Sequence, residues 1–168
     1  MSKAKKETDQ SQGKEMQGIL EQWQRERPDI DPVPMIICGE IWRAGNRLNQ
    51  GVLENAARYD LDFAGLDVLL TLRRQGAHNP LSPSALAKDM MLSTAAMTNR
   101  LDRLEKRGLL KRETDPQDRR GIKVALTEQG FELADTLVAT HVAAEEAMLS
   151  DLNADERLQL RHLLSRIG

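Results

Sequence analysis

The sequence has a single cysteine, few aromatic side chains, almost no net charge and no long apolar run. One thiol, Cys38, excludes an internal disulfide framework and a zinc site built from cysteines. No apolar stretch approaches the roughly 20 residues of a transmembrane helix. The charged start MSKAKKETDQSQGK is not followed by the apolar stretch of a secretory signal. We therefore expect a cytoplasmic protein that does not enter a membrane.

Motifs of catalysis and of metal binding are also missing. No nucleophile–base motif and no glycine-rich phosphate loop is present. The three histidines, His78, His141 and His162, are scattered along the chain rather than spaced as metal ligands. We expect no enzyme activity, no metal site and no cofactor.

The composition favours a helical protein with an uneven charge distribution. The 168 residues suit one domain with an appendage, and the apolar side chains are mostly Leu, Ala and Met, which favours helices over a β-sandwich. The formal charge of −2 excludes a chain that is basic throughout. Residues 82–126, however, hold ten Lys and Arg against six Asp and Glu, a net charge of +4, which leaves −6 for the rest. A local positive charge is what binding to phosphates requires.

Apolar spacing and capping residues predict a mainly α-helical (α+β) fold. Residues 1–13 are polar and are predicted to be disordered, whereas residues 14–27 form an extra N-terminal helix that precedes a proline-rich linker. Further helices are predicted over residues 35–57, 63–76, 82–90, 93–108 and 127–149, with a last helix up to residue 167. The predicted N-caps are Asp62, Ser82, Ser93, Thr127 and Asn153. Gly76 and Gly108 are the predicted helix stops.

Two short helices and a hairpin stand together in the middle of the chain. The helices over residues 82–90 and 93–108 are separated by a tight turn, which predicts a helix-turn-helix. Their inward side chains are expected to be Leu86, Ala87, Met97, Leu101 and Leu104. Residues 109–113 and 122–126 alternate as strands do, with the charged tip TDPQDRRG between them. The order predicts a winged helix-turn-helix.

The segment from LSPSALAKDM to IKVALTEQG resembles the winged helix-turn-helix of the multiple antibiotic resistance regulator (MarR) family. Its most specific part is the wing signature, Asp-x-Arg followed by an apolar strand, Leu-Thr and Gly. The corresponding residues are Asp118, Arg120, Leu126, Thr127 and Gly130. The likeness covers residues 34–168 and implies a DNA-binding lobe at about 62–126 with dimerisation helices at 35–57 and 127–167.

The resemblance implies a homodimer on double-stranded DNA. The first helix and the last two helices of the domain would interlock with those of a second copy. The two recognition helices would then enter successive major grooves of a pseudo-palindromic operator, and the wings would reach the minor groove.

Specific residues are expected to contact DNA. On the outward face of the helix after Ser93, Thr98 and Asn99 can bond base edges, Ala95 can approach a thymine methyl group, and Thr94 lies beside them. The expected phosphate contacts are Ser82, Ser84, Ser93 and Arg103. At the hairpin tip, Arg119 is expected to enter the minor groove. Arg120 belongs to the same basic tip, and the resemblance alternatively implies that it pairs with Asp102 and braces the wing.

Regulation by a small ligand is implied as well. The urate-responsive branch of the family carries an extra N-terminal helix and a proposed ligand set of Trp, Asp and two Arg. This chain is similar in all four, with Trp23, Asp67, Arg100 and Arg112. In such a site Asp67 and Arg100 would form a buried pair, and a ligand inserted there would lower DNA affinity. Each of these residues also suits a role without a ligand. Trp23 can anchor the extra helix by packing, Asp67 can form a structural salt bridge, and Arg112 can contact a phosphate.

Other effectors remain open. Related branches respond to organic acids such as trans-aconitate, and a peroxide-responsive branch has a reactive cysteine early in its first long helix, where this chain has Cys38. That cysteine also suits core packing, because a reactive thiol needs a neighbour that stabilises the thiolate. We expect a DNA-binding repressor released by a small anionic ligand such as urate. The alternatives are a regulator of another organic acid or phenolic ligand, a redox sensor acting through Cys38, and a helical interaction module without DNA affinity.

Overall fold

The computed structural model describes residues 16–76, 79–90, 93–116, 118 and 120–168. Helix α1 is described over residues 16–26, and the predicted tail of residues 1–13 lies outside the described residues. The elements that follow are α2 (Val33–Ala57), α3 (Phe63–Arg74), α4 (Pro83–Asp89), α5 (Thr94–Lys106), β1 (Leu110–Thr114), β2 (Ile122–Leu126), α6 (Glu128–Met148) and α7 (Ala154–Leu164). This is the predicted mainly α winged helix-turn-helix. No helix in the described part has both the length and the apolar character needed to cross a bilayer.

The chain forms two compact units, one ending at Asn49 and the other beginning at Gln50. In the first unit, Met16 of α1 is buried. Its methyl group lies close to Gly39 of α2, where an added Cβ would be only 3.1 Å away. The glycine therefore allows α1 to approach α2 closely.

Helix α2 begins at Val33, two residues before the predicted start. The Asp31 carboxylate accepts a hydrogen bond from the Val33 N–H at 3.0 Å, and the Pro32 carbonyl accepts one from Met35 at 3.0 Å. Pro34 lies inside the first turn, where a missing N–H costs no intrahelical hydrogen bond. The proline-rich linker is therefore shorter than predicted.

Helix α3 lies at the centre of the second unit. Its Leu66, Val68 and Leu69 are almost completely buried. The helix packs against α4, α5, α6 and β2, so one central helix supports both the helix-turn-helix and the hairpin. The core of the winged helix-turn-helix therefore forms within one chain.

The hairpin has the predicted antiparallel order, with β2 at the predicted residues and β1 one residue later. Leu110 pairs with Leu126 at one end and Thr114 with Ile122 at the other. A third segment joins it, because the backbone groups of Leu81 and Val124 bond each other at 3.1 and 2.8 Å. The sequence analysis missed this isolated bridge.

Local helix signals are confirmed. At each predicted N-cap a side-chain oxygen accepts a hydrogen bond from a backbone N–H of the first turn. These caps are Asp62, Ser82, Ser93, Thr127 and Asn153. Gly76 and Gly108 have positive φ angles of 99° and 70°, as expected of glycines that follow a helix.

Several apolar positions of α2 and α7 are not buried within one chain. Ile37 and Leu48 belong to the apolar stripe predicted on α2, yet 53% and 40% of their surfaces are exposed. The same stripe is buried at Val52 and Ala56. Helix α7 has no buried residue at all. Periodicity identified the apolar faces, but the described part of the chain does not cover all of them.

Candidate nucleic-acid interface

Helices α4 and α5 form a helix-turn-helix whose inner faces are buried as predicted. The hydroxyl oxygen of Ser82 accepts from the Ala85 N–H at 3.2 Å, and that of Ser93 accepts from the Ala96 N–H at 3.3 Å. The buried residues of the two helices are Leu86, Ala87, Met97, Leu101 and Leu104. This inward stripe leaves the opposite face of α5 to solvent.

The outward face of α5 carries small and polar side chains. Ala95, Thr98 and Asn99 are all exposed. A helix with such a face can enter a major groove, where Thr and Asn bond base edges and Ala contacts a thymine methyl group. Thr94 is the first residue of α5, and its side chain lies outside the described part of the structure.

The predicted phosphate-binding serines lie at the starts of α4 and α5. Ser84 and Ser93 are exposed and Ser82 is half-buried. Ser82 and Ser84 lie 3.0 Å apart through their hydroxyl oxygens. A capping hydroxyl accepts from the backbone, so its own proton remains available as a donor. Two helix N-termini with such hydroxyls are suited to anionic oxygens.

Two arginines attach the last turns of α5 to the start of α3. Arg103 donates to the Asp62 carboxylate at 2.8 Å, and Arg107 donates to the backbone carbonyls of Asp60 and Tyr59. Arg103 was predicted to contact phosphate, and the structure gives it an acidic partner as well. This pair is exposed, so solvent and salt weaken it.

A small cleft lies beside these arginines. It is lined by Asp60, Leu61, Asp62, Gly65, Arg100, Arg103, Leu104 and Arg107, with a volume of about 80 Å³. Pockets for drug-sized ligands are larger, roughly 300–1,000 Å³. The cleft combines three guanidinium groups with two carboxylates, a setting that can attract an anion once it widens.

The tip of the wing, which is the loop between β1 and β2, is closed by hydrogen bonds from backbone N–H groups. Asp115 donates its N–H to the Gly121 carbonyl at 2.9 Å, and the Arg120 N–H donates to the Asp118 carboxylate at 3.0 Å. The Arg120 side chain is exposed. Arg119, the residue predicted to enter the minor groove, lies outside the described residues.

The brace between the wing and α5 is made by Arg112, not by Arg120. Arg112 bonds the Asp102 carboxylate at 2.6 Å and the Glu105 carboxylate at 2.5 Å. Its side chain is only 24% exposed. The expected pairing of Arg120 with Asp102 is therefore corrected. Arg112 lies on β1 beside α5, whereas Arg120 lies at the far tip of the hairpin.

The four predicted ligand residues lie on four different elements, α1, α3, α5 and β1. Trp23 lies on α1 with 36% of its surface exposed. Asp67 is half-buried on α3, and Arg100 lines the cleft beside Asp60 and Asp62. Among the described residues no ion pair joins Asp67 to Arg100, so the expected buried pair is absent here. The acidic groups that share Arg100's cleft come instead from the loop before α3.

Cys38 is exposed on α2. Core packing within one chain, one of the two interpretations of this residue, is therefore wrong. An exposed thiol is accessible to an oxidant, but its reactivity also needs a group that stabilises the thiolate.

Sequence reasoning missed Glu105. Its carboxylate accepts from both the backbone N–H and the guanidinium of Arg112, at 3.2 and 2.5 Å. Asp102 and Glu105 are three residues apart on a helix and therefore share one face. That acidic pair, followed by an arginine on an adjoining strand, was the available signal.

The chain is similar to known transcriptional regulators. The sequence model of the MarR family matches residues 65–122. The HTH-type transcriptional regulator PecS of Dickeya dadantii is 37% identical over 153 residues, which cover 91% of this chain and 92% of PecS.

Solved structures resemble the chain over most of its length. A mutant of MarR from E. coli, complexed with operator DNA, is 25% identical with a TM-score of 0.65, covering 86% of this chain and 96% of that chain. BpsR of Bordetella bronchiseptica, whose DNA binding is regulated by 6-hydroxynicotinic acid, is 28% identical with a TM-score of 0.65. That match covers 77% of this chain and 96% of that chain.

Proposed function

Because the chain belongs to the MarR family of DNA-binding transcriptional regulators, we propose that it is a ligand-responsive repressor, a homodimer released from its operator by a small anion. The observation that carries the proposal is the amphipathic character of α5. This helix buries one apolar face and exposes Ala95, Thr98 and Asn99 on the opposite face. Such a helix matches the width of a major groove. The similarity to a structure of MarR in complex with operator DNA supports DNA binding by this chain.

The proposed DNA contacts divide into base readout and positioning. Thr98, Asn99 and Ala95 read bases, while helix-capping hydroxyls and basic side chains hold the phosphates. The positioning residues are Ser82, Ser84, Ser93 and Arg103, with Arg119 and Arg120 at the wing. Arg103 exchanges its exposed Asp62 partner for a phosphate in this arrangement.

A homodimer accounts for the exposed apolar faces. Val138 and Val142 of α6 are 41% and 58% exposed, and the last helix with the residues that follow it exposes five further aliphatic side chains. These residues are Leu158, Leu160, Leu163, Leu164 and Ile167. Contiguous apolar surface on a soluble protein marks an interaction site. A second copy that covers it places two α5 helices on two half-sites.

The proposed effector is a planar anion such as urate or an aromatic carboxylate. An arginine offers such a ligand a positive charge and paired hydrogen-bond donors. Arg100 lines the small cleft together with Arg103 and Arg107. Regulation of BpsR by 6-hydroxynicotinic acid is consistent with this class of ligand. At about 80 Å³ the cleft must widen to admit the anion. An anion that binds better to the widened arrangement displaces α5 and lowers operator affinity.

Ligand titration into an operator complex tests the proposal. Operator DNA from upstream of the protein's own gene is bound at fixed salt, and urate, trans-aconitate and 6-hydroxynicotinic acid are added separately up to millimolar concentration. We expect at least one to weaken binding tenfold. Arg100→Gln should abolish this response, whereas Lys106→Gln, an exposed change on the same helix outside the cleft, should retain it. Absence of any response contradicts the ligand proposal but leaves DNA binding standing.

The role of Trp23 is tested by its fluorescence. The chain has two tryptophans, so in Trp42→Phe all tryptophan emission comes from Trp23. A ligand that contacts Trp23 should quench or shift this emission over the same concentrations that release DNA. If the emission does not change while the ligand fully releases the DNA, Trp23 is not part of the ligand site.

The redox alternative rests on the exposed thiol of Cys38. Peroxide-driven release from the operator would favour it, and Cys38→Ser separates the two mechanisms. Release that persists in Cys38→Ser excludes the thiol.

A further inference from the structure

Arg112 occupies a half-buried position where the first wing strand meets α5. One nitrogen of its guanidinium lies 2.6 Å from the Asp102 carboxylate and another 2.5 Å from that of Glu105. The Glu105 carboxylate also accepts the backbone N–H of Arg112 at 3.2 Å. The wing is thus attached to α5 through both the main chain and the side chain of one residue.

The backbone contact follows from the strand register. Arg112 is opposite Val124, whose own N–H and carbonyl bond Leu81 on the other side of β2. In an antiparallel pair, residues that face each other in this way do not bond each other. The Arg112 N–H therefore points away from β2, and without Glu105 it would lack an acceptor inside the protein.

The charges at this junction depend on the arginine. Asp102 and Glu105 lie on one face of α5, so two carboxylates are close together. A guanidinium is always charged and presents donors in a planar fork that satisfies both. Its side chain is 24% exposed, compared with 71% for Arg103 in its pair with Asp62. Solvent weakens the Arg112 contacts less than those of the more exposed pair.

We infer that Arg112 is a positioning residue for DNA binding. It sets the angle between the wing and α5, and hence the distance between the minor-groove and major-groove contacts on each half-site. Both arms of its guanidinium are occupied by carboxylates, so an anionic effector would have to displace two acidic groups to reach it. We assign Arg112 to this brace and leave the effector to the Arg100 cleft.

The neighbouring Lys111 supplies a matched control. It lies on the same strand but faces away from α5, and it pairs with Glu113 at 2.5 Å in an exposed position. Arg112→Met and Lys111→Met each remove one positive charge from β1 and leave an unbranched apolar side chain. Any difference between the two variants reports the brace rather than the charge.

The experiment combines operator affinity with footprinting of the full-length protein. We expect Arg112→Met to lower operator affinity at least tenfold without ligand, with minor-groove protection at the wing lost and major-groove protection retained. Lys111→Met should change affinity less than threefold and keep both protections. Arg112→Lys, which retains the charge but not the fork, should give an intermediate footprint and keeps the test valid if Arg112→Met folds poorly.

Three results would overturn the inference. Unchanged affinity and footprint in both Arg112 variants would show that no brace is needed. A proportional loss of both protections would indicate a purely structural role. If the Arg112 variants bind the operator normally without ligand but no longer respond to urate, Arg112 belongs to the effector site instead. The ligand response is measured separately with Arg100→Gln. A failure of the effector proposal can therefore be distinguished from a failure of the inference about Arg112.

Discussion

Thr127 and Gly130 allow α6 to start directly against the root of the wing. The Thr127 hydroxyl donates to the Gly108 carbonyl at 2.6 Å and accepts from the Gly130 N–H at 3.0 Å. It therefore links the end of α5 to the start of α6. Gly130 faces the backbone of Leu109, and an added Cβ would overlap with that carbonyl oxygen. This gives a physical reason for the Thr and Gly of the wing signature.

Gly130→Ala should be strongly destabilising. The new methyl group has to move the Leu109 backbone or the helix, an overpacking cost of about 2 kcal/mol or more. Urea unfolding measures the effect. Gly18→Ala on α1 is the matched control, because no other described part of the chain lies within 4 Å of a Cβ added there, apart from its own helical turn. It should leave stability unchanged or slightly raised. Equal stability of the two variants would contradict the close contact at Leu109.

At the scale of elements, the Arg157 side chain links the start of α7 to the end of α6. Arg157 donates to the carbonyls of Leu152 and Leu149 at 3.0 and 2.9 Å and to the Glu146 carboxylate at 2.8 Å. These carbonyls belong to the turn after α6, where backbone acceptors lack helical partners. The hydrogen bond between the two side chains lowers the pKa of Glu146 and raises the pKa of Arg157.

The stability contributed by Glu146 should depend on pH. Its folded pKa is depressed, so the contribution is complete above the ordinary value of 4.5 and is lost as the pH falls through the lowered pKa. Thermal unfolding at neutral pH should therefore show a lower Tm for Glu146→Gln than for the parent protein, with the difference vanishing in acid. Glu132→Gln, at an exposed α6 glutamate with no ion pair in the described part, should not show this pattern. A Tm difference independent of pH would exclude the pair as its cause.

At the scale of the whole molecule, the exposed aliphatic side chains at the C-terminal end are the strongest reason to expect a second copy. By helical periodicity Leu160, Leu163 and Leu164 share one face of α7, and Ile167 follows just after the helix; each is 39–60% exposed. A helix of 11 residues such as α7 is marginal without tertiary packing. Covering this face therefore stabilises the helix itself as well as the assembly.

Leu163→Asp should convert the protein to a monomer. A charge placed in an apolar interface loses its hydration without a partner. Sedimentation equilibrium at micromolar concentration measures the mass, and operator affinity should fall because one protomer contacts only one half-site. His162→Asp alters the opposite face of the same helix and should remain dimeric. A monomeric parent protein would refute the homodimer directly.

The local part of the fold could be predicted because its signals act over a few residues. The cap at Asp62, the stop at Gly108 and the strand over residues 122–126 all lie where the sequence placed them. Caps and apolar periods depend on the residue and its near neighbours along the chain. The Leu81–Val124 bridge escaped prediction, since it joins distant residues through backbone atoms and leaves no pattern of side chains.

The sequence by itself determined the winged helix-turn-helix, its caps and the faces of its helices, because short-range sterics and periodic apolar positions specify them. Only the tertiary structure decided which charges meet. Asp102 pairs with Arg112 rather than with Arg120, and Arg100 lies beside Asp60 and Asp62 without an ion pair to Asp67 among the described residues. Ion pairing depends on where distant elements bring their side chains together, and several acids were available to each arginine. The near-zero net charge conceals this arrangement, in which basic groups near the DNA-binding face are held in place by acidic neighbours.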